Sequence, residues 1–372
     1  MFRGHAPGHA PEESRAALWC VAFRALAAPD KFRGTISARE AAASIGRAAA
    51  ELGWCYDLAP VSDGGEGFLD VLSAHGARMM SNVVGPLGEP VEVPWVLGPD
   101  PERPERQLAV VESAHAIGLQ VVGGPEANDP VAATSAGAGQ LIAEAFKAGA
   151  AQVLVGLGGS ATTDGGLGAV EALAPDGRVP EGEILVACDV ETRFTDAAAV
   201  FGPQKGATPE QVEFLAERLG RVAELYRERF GIDVRGIPGG GAAGGLAGGL
   251  VAVGAKLVPG FDIVAEKLSL AKRVTSCDVV VTGEGRVDLP SFAGKAVGGL
   301  ARLAGPAGVP VLVVAGEVVP EAYDAATCSG ANLTLVSLVA RFGEARARSD
   351  TAQCLHDVVA EQLSHWPPAA RS

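Results

Sequence analysis

Three glycine-rich runs that carry acids constrain this chain more than anything else in it: SDGGEG (62–67), GLGGSATTDGG (156–166) and TGEGRVD (282–288). Two of them follow apolar β-branched stretches, at 153–155 and 278–281. A strand that breaks off in glycines leaves bare backbone N–H groups where phosphate oxygens can approach. Acids inside the same loops can hold magnesium or take a proton. Backbone donors and carboxylates together are what phosphoryl transfer needs.

The 372 residues exceed one ordinary core, so two domains are expected. An apolar stretch near 21–27, the loop DKFRGT, a helix capped by Ser37 with Glu40 three residues on, and the strand YDLAPV form a β-α-β unit that runs into SDGGEG. From 91 to 98 apolar and polar residues alternate, the pattern of an antiparallel meander. A short helix around 140–147 precedes GLGGSATTDGG, and a strand from Ile184 ends in ACDV. Thr208, Pro209 and Gln211 open the clearest helix, which Gly231 ends. From Cys277 onward β-α alternation resumes. The fold class is therefore α/β in two parts. Residues 19–63 with 274–372 form a Rossmann- or flavodoxin-like parallel-sheet domain built from both termini. Residues 64–273 form an inserted α/β domain with a mixed sheet, and 1–18 read as a disordered extension.

A formal charge of -14 argues against a broad nucleic-acid surface but not against a local cationic pocket for small anions. No apolar run is long enough to span a bilayer, and no membrane partner is expected. The six cysteines are scattered without a C-x-x-C and read as free thiols in a reducing cytosol, so a cytoplasmic location is expected. The histidines show no paired spacing for zinc. Nothing fixes the oligomeric state, and a homodimer stays open.

Several side chains stand where chemistry is expected. Lys31 and Arg33 occupy the first strand-to-helix loop, at the carboxyl edge of a parallel sheet where ligands bind; solvated loop cations are the alternative. Asp63 and Glu66 lie in a glycine-walled turn, which an Asx-turn would also explain. Gly158, Gly159, Ser160 and Thr162 resemble a phosphate cradle. Gly156, Gly158 and Ala161 also satisfy G-x-G-x-x-A, a weak dinucleotide fingerprint because Thr162 to Asp164 follow before any helix. A second glycine tract, with Gly239, Gly240, Gly241, Gly244 and Gly245, is either a helix N-terminus for a phosphate or a small-residue packing element. Glu284, Arg286 and Asp288, with Gly283 and Gly285, lie just past a buried strand. Asp189 ends another, a usual place for a general base, and Lys205 could reach a phosphate from its turn. No P-loop, G-x-S-x-G elbow or protein-kinase signature is present.

Taken in order, APDKFRGTISAREAA, PVSDGGEGFLDVL, VVGPLGEPV, VLVGLGGSATTDGG, ACDV, AVFGPQKGAT, GGGAAGGLAGGL and TGEGRVD through Gly294 and Lys295 make the chain resemble the bacterial glycerate kinase family. The resemblance implies two α/β domains with the active site in the cleft between them, and ATP- and magnesium-dependent phosphorylation of D-glycerate, favouring 2-phosphoglycerate. Asp189 is expected as base with Asp63 as second choice, and Lys31, Arg33 and Arg286 on the carboxylate or the transferring phosphoryl. The loop Gly158–Ser160 and the Gly239–Gly245 tract would hold the nucleotide phosphates, and Asp164, Glu284 and Asp288 the metal. The chain departs from the family's usual text at NDPVAATSAGAG, ETRFTDAAAV and ESAHAIGL, around Asn128, Thr192 and His115. Two other functions stay open: a nicotinamide-dependent hydroxy-acid dehydrogenase, and a non-catalytic sensor of a phosphorylated metabolite.

Overall fold

The computed structural model describes residues 23–328 and 330–366. The expected extension 1–18, the start of the first strand and Cys20 lie outside the described residues. The strands are β1 (Arg24–Ala27), β2 (Cys55–Leu58), β3 (Ala77–Val84), β4 (Pro90–Pro99), β5 (Gln107–Glu112), β6 (Gln152–Gly156), β7 (Glu183–Ala187), β8 (Lys256–Val258), β9 (Val279–Thr282), β10 (Arg286–Val287), β11 (Val311–Ala315), β12 (Glu317–Val318) and β13 (Leu333–Ser337). One sheet is wholly parallel, in the order β2-β1-β9-β11-β13. Numbered within that sheet the order is 2-1-3-4-5, the flavodoxin-like arrangement, and its direction reverses between β1 and β9. The second sheet runs β3-β4-β5-β6-β7-β8, antiparallel across β3, β4 and β5 and parallel from β5 to β8. Both sheets thus present several strand carboxyl ends on one edge.

Period-two alternation decides which face each residue buries. Ala25, Ala27, Val279, Val281, Leu312 and Val314 face the helices Ala38–Glu51 and Thr351–Ser364. Leu26, Val280, Val311 and Val313 point the other way, into an apolar layer that also holds Val96, Val110 and Leu154 of the mixed sheet. Phe68, Leu72, Phe261 and Leu300 fill the space between the two sheets, so one continuous core joins them. The far face of the mixed sheet packs on Ala136–Lys147 and Pro209–Phe230.

The Ser37–Glu40 and Thr208–Gln211 capping boxes both form, and Gly231 closes its helix in the left-handed region at φ 74°. The helix expected near 140 begins earlier, at Ala136, because its first turn is built from small residues. A Cβ at Gly137 or Gly139 would strike the carbonyl oxygen of Val84 or Ala169. That stripe carries no apolar periodicity, so backbone proximity rather than hydrophobic pattern sets the boundary.

Phe261 is fully buried at the seam between the sheets. Phe261→Ala should cost about 3–5 kcal/mol through transfer and cavity loss. If the seam is one cooperative unit, hydrogen exchange should accelerate in both Arg24–Ala27 and Gln152–Gly156. Acceleration confined to one sheet would contradict the shared core.

Candidate active site

The reversal point between β1 and β9 is held shut by backbone bonds. Ala28 N donates to Val281 O at 2.8 Å, Asp30 N to Gly283 O at 2.8 Å, and Thr282 Oγ1 to Ala28 O at 2.8 Å. A Cβ at Gly283 would strike the Val314 carbonyl, and one at Gly285 would lie 3.1 Å from Arg33 N. These two glycines are therefore needed for close approach of neighbouring backbone. Phe32 is buried, and its N–H donates to Ile36 O at 2.9 Å, which pins the loop and leaves Lys31 and Arg33 on either side of the anchor.

The SDGGEG loop reaches across to the mixed sheet. Gly65 N donates to Asp63 Oδ1 at 3.3 Å, an Asx-turn. A Cβ at Gly64 would lie 2.7 Å from the Ala187 Cβ and 3.2 Å from the Gly260 Cα. Glu112, at the end of β5, accepts from Gly67 N at 3.2 Å and Leu69 N at 3.1 Å, so an acid of one sheet caps the helix Phe68–Leu72 that leads out of the other. Burial pushes the Glu112 carboxyl above its ordinary value.

Between the sheet edges lies a crevice of about 650 Å³. Lys31, Arg33, Asp63 and Glu66 line it from the parallel-sheet side and the connecting loop. Gly158, Gly159, Ser160, Asp189 and Lys205 line it from the mixed sheet. It adjoins a second cavity of about 480 Å³, lined among others by Asp30, Glu284, Gly285 and Arg286. Residues that sequence separates by more than two hundred positions thus share one opening.

Charge in this opening is uneven. Lys31 Nζ lies 3.8 Å from Asp30 Oδ1 and 3.7 Å from Asp63 Oδ1. Burial pushes Asp30 up to about 6, with Lys31 opposing the rise and Asp63 adding to it. Asp189 Oδ1 accepts from Gly260 N at 2.7 Å, while its Oδ2 is buried without a partner. Burial raises Asp189 to about 6, despite the Gly260 hydrogen bond. Glu284 Oε1 is likewise buried and unpartnered, and burial raises that carboxyl to about 7. Lys205, only 3% exposed, donates to Ser160 Oγ at 3.0 Å and Thr162 O at 2.6 Å; burial pulls its ammonium down to about 7. An anion in the crevice would restore that charge.

Other expected site residues sit differently. Asp164 is 1% exposed, and its oxygens accept from Ser135 N and Oγ, Gly166 N and Gly168 N, so it knits the inserted part together and lies off the crevice lining. Asp288 Oδ1 accepts from Ser291 N at 3.2 Å and caps the short turn Leu289–Phe292. Arg286 is largely exposed and pairs with Glu317 at 3.4 Å on the cavity rim. Thr162 is fully buried behind the loop. In the second glycine tract, a Cβ at Gly241 would hit the Arg193 carbonyl, and one at Gly244 the Thr162 carbonyl. Gly245 would meet the Gly165 Cα at 2.7 Å, and Gly239 the Cys188 sulfur at 3.0 Å. Gly240 N donates to Ile237 O at 3.1 Å. Close backbone packing accounts for these glycines, and Ala242 and Ala243 of the same tract reach the crevice wall. Among the described residues no group of three or more His, Cys, Asp or Glu is arranged to hold a metal.

Sequence reasoning assigned no role to Asp30, Lys295 and His115, all of which line these cavities. Asp30 follows Pro29 at the end of β1, where a carboxyl-edge acid was readable. Lys295 follows a glycine turn just ahead of a helix. His115 carries no such signal: its Nδ1 is buried without a partner, a fact only the packing reveals.

A model of the glycerate kinase family matches residues 25–177 and 174–366. With the two carboxyl-edged sheets, that match makes the protein an α/β small-molecule kinase. The loop 157–166 runs on for ten residues before the helix Leu167–Leu173, so no dinucleotide turn forms after β6. The chain is 42% identical over 312 residues to an uncharacterized protein of Mycobacterium tuberculosis (strain CDC 1551 / Oshkosh), covering 81% of each. It is 36% identical over 332 residues to the glycerate 2-kinase of Escherichia coli (strain K12), covering 80% of this chain and 86% of that one. The crystal structure described as glycerate kinase 2 from Salmonella typhimurium LT2 superposes with a TM-score of 0.72 at 32% identity, over 92% of this chain and 99% of the other. The chain belongs to the glycerate kinase family.

Gly244 lies at φ 70° with its Cα against the Thr162 backbone. Gly244→Ala should lose roughly 2–4 kcal/mol, from the left-handed conformation together with overpacking. Urea unfolding checks it, and an unchanged midpoint would show that the tract is not packed this way.

Proposed function

We propose that the protein transfers the γ-phosphoryl group of ATP to D-glycerate, giving 2-phosphoglycerate, and that the reaction takes place in the crevice between the sheet edges. The observation that carries this reading is the partnerless, buried Asp189 Oδ2, which lines the same crevice as Lys31, Arg33 and the Gly158–Ser160 loop. A carboxylate held up by burial and left without a donor is a proton acceptor in waiting.

In this reading Gly158, Gly159 and Ser160 receive the nucleotide phosphates, and Lys205 fixes the loop from behind through Ser160. Gly159 is exposed, and a Cβ there would meet nothing within 4 Å, so its amide is open to a ligand. Lys31, Arg33 and Arg286 attract the glycerate carboxylate or the moving phosphoryl, Arg33 with a fork that can grip a carboxylate with two bonds. Glu66, exposed on the crevice wall, suits a substrate hydroxyl. Asp189 takes the hydroxyl proton, and the alkoxide-like oxygen attacks phosphorus in line. Asp63 is the second candidate for that role.

The donor set also fits magnesium. This ion is commonly held by one or two carboxylates plus substrate phosphates. Glu284, with its orphaned oxygen, and Asp30 beside it are the pair best placed to hold it. Asp164 spends both oxygens, and Asp288 its Oδ1, on bonds from backbone amides. When bound, magnesium would neutralise charge on the nucleotide phosphates. No described helix is long and apolar enough to cross a membrane, and the cysteine pattern favours the cytoplasm.

Incubation with ATP, magnesium and D-glycerate should release ADP, with phosphorus NMR assigning the product as 2-phosphoglycerate; EDTA should stop it. ADP release with no phosphoglycerate, or none at all, would overturn the assignment. Because Asp189 must be ionised to accept a proton, kcat/KM should fall as pH drops through about 6. Asp189→Asn keeps an acceptor for Gly260 but should lose about 10²–10⁴ in kcat, together with that acid limb. Near-normal turnover of the variant would remove Asp189 from the role.

A further inference from the structure

Lys295 stands where the two cavities meet. With Lys31, Arg33 and Asp63 it lines both the crevice of about 650 Å³ and its neighbour of about 480 Å³. Lys31 is already drawn to Asp30 and Asp63 at 3.8 and 3.7 Å, and Arg33 projects into solvent. Among the described residues Lys295 forms no ion pair and no side-chain hydrogen bond. Its backbone is nonetheless tightly placed. Gly294 turns at φ 94°, Lys295 is the N-cap of the helix Ala296–Ala304, and Gly299 N donates back to Lys295 O at 2.7 Å. That helix is anchored by Val297 and Leu300 in the core between the sheets.

We propose that Lys295 is a catalytic residue whose ammonium contacts the phosphoryl group as it passes from nucleotide to glycerate, so that it binds the transition state more strongly than either ground state. The inference rests on the phosphotransfer reading above and adds a residue to it. In the step concerned, the glycerate hydroxyl oxygen bonds to phosphorus while the bond from phosphorus to the β,γ-bridging oxygen breaks. The bonding pair leaves with ADP, and the hydroxyl proton passes to Asp189.

Three acids on both sides of the opening share the field of Lys295: Asp30, Asp189 and Glu284 each feel it as a charge that favours ionisation. A cation that serves three carboxylates without pairing with any of them is not committed to one partner. It can turn toward negative charge that gathers between the cavities only during transfer. A flexible ammonium on a fixed helix start suits that task. The peptide dipoles of the same helix add positive potential at the same point.

Lys295→Met in the full chain should lose about 10²–10³ in kcat. KM for ATP and D-glycerate should move by less than about threefold, and the rise in Tm on adding ATP should persist, because uniform binding is untouched. Lys295→Cys, inactive alone, should recover turnover after alkylation with 2-bromoethylamine, which rebuilds an ammonium at that position; wild type carried through the same treatment controls for Cys55 and Cys328. Lys295→Arg, with its charge retained, should fall between the two. Turnover of Lys295→Met within about threefold of wild type overturns the proposal. So does loss of the ATP-induced Tm rise in step with kcat, which would make Lys295 a ground-state anchor, and so does failure of the alkylated cysteine variant to recover. If wild type itself releases no ADP with D-glycerate, the phosphotransfer reading fails first, and that result is distinguishable because no variant is needed to see it.

Discussion

Desolvated carboxylates held near cations set the character of the crevice between the two sheet edges. Asp30, Asp189 and Glu284 are withdrawn from water far enough that burial outweighs every favourable contact they make. Acids in that condition favour folding most below their ordinary range, near pH 4. They give up that contribution as pH rises through about 6 to 7, where each must ionise in place. At neutral pH the fold therefore carries them at a cost in stability. Lys31 and Lys295 offset part of it, and the remainder is characteristic of sites shaped for reaction rather than for rigidity.

That cost is supportable because the surrounding frame is closely locked. The parallel sheet reverses direction between β1 and β9, and backbone bonds from Ala28 and Asp30 seal the gap. The inserted sheet brings its own carboxyl edge to the same place through Gly64 against Ala187 and Glu112 on the helix Phe68–Leu72. A continuous apolar layer centred on Phe261 and Leu72 keeps the two edges in register. Placement of the acids is thus a consequence of packing well away from them.

Much of this was legible beforehand, and what was legible shares a cause. Local signals worked: the caps at Ser37 and Thr208, the left-handed stop at Gly231, the alternation from Val91 to Gly98 and the two-sheet architecture each follow from short-range chemistry. The candidate site was legible as a set of loops that line one crevice, since strands that end in glycine announce a carboxyl edge. The role of each residue was not. Asp164 and Asp189 look alike in sequence; one spends its oxygens on Ser135, Gly166 and Gly168, and the other keeps an oxygen free, a difference set by partners far away in the chain. The glycines near 240 pose the same difficulty, because open amides and tight packing call for the same residue.

The interruption of the parallel sheet also has a consequence for how the chain is made. Strands β1 and β2 leave the ribosome early, but their central neighbour β9 begins at Val279, about 220 residues later; at a synthesis rate of roughly 5–20 residues per second that is a wait on the order of 10–45 s. Throughout it, the edge of β1 that β9 will cover has no permanent neighbour. The inserted sheet can close on itself meanwhile. Nascent chains stalled before Val279 are consequently where holdase chaperones would find the most to bind.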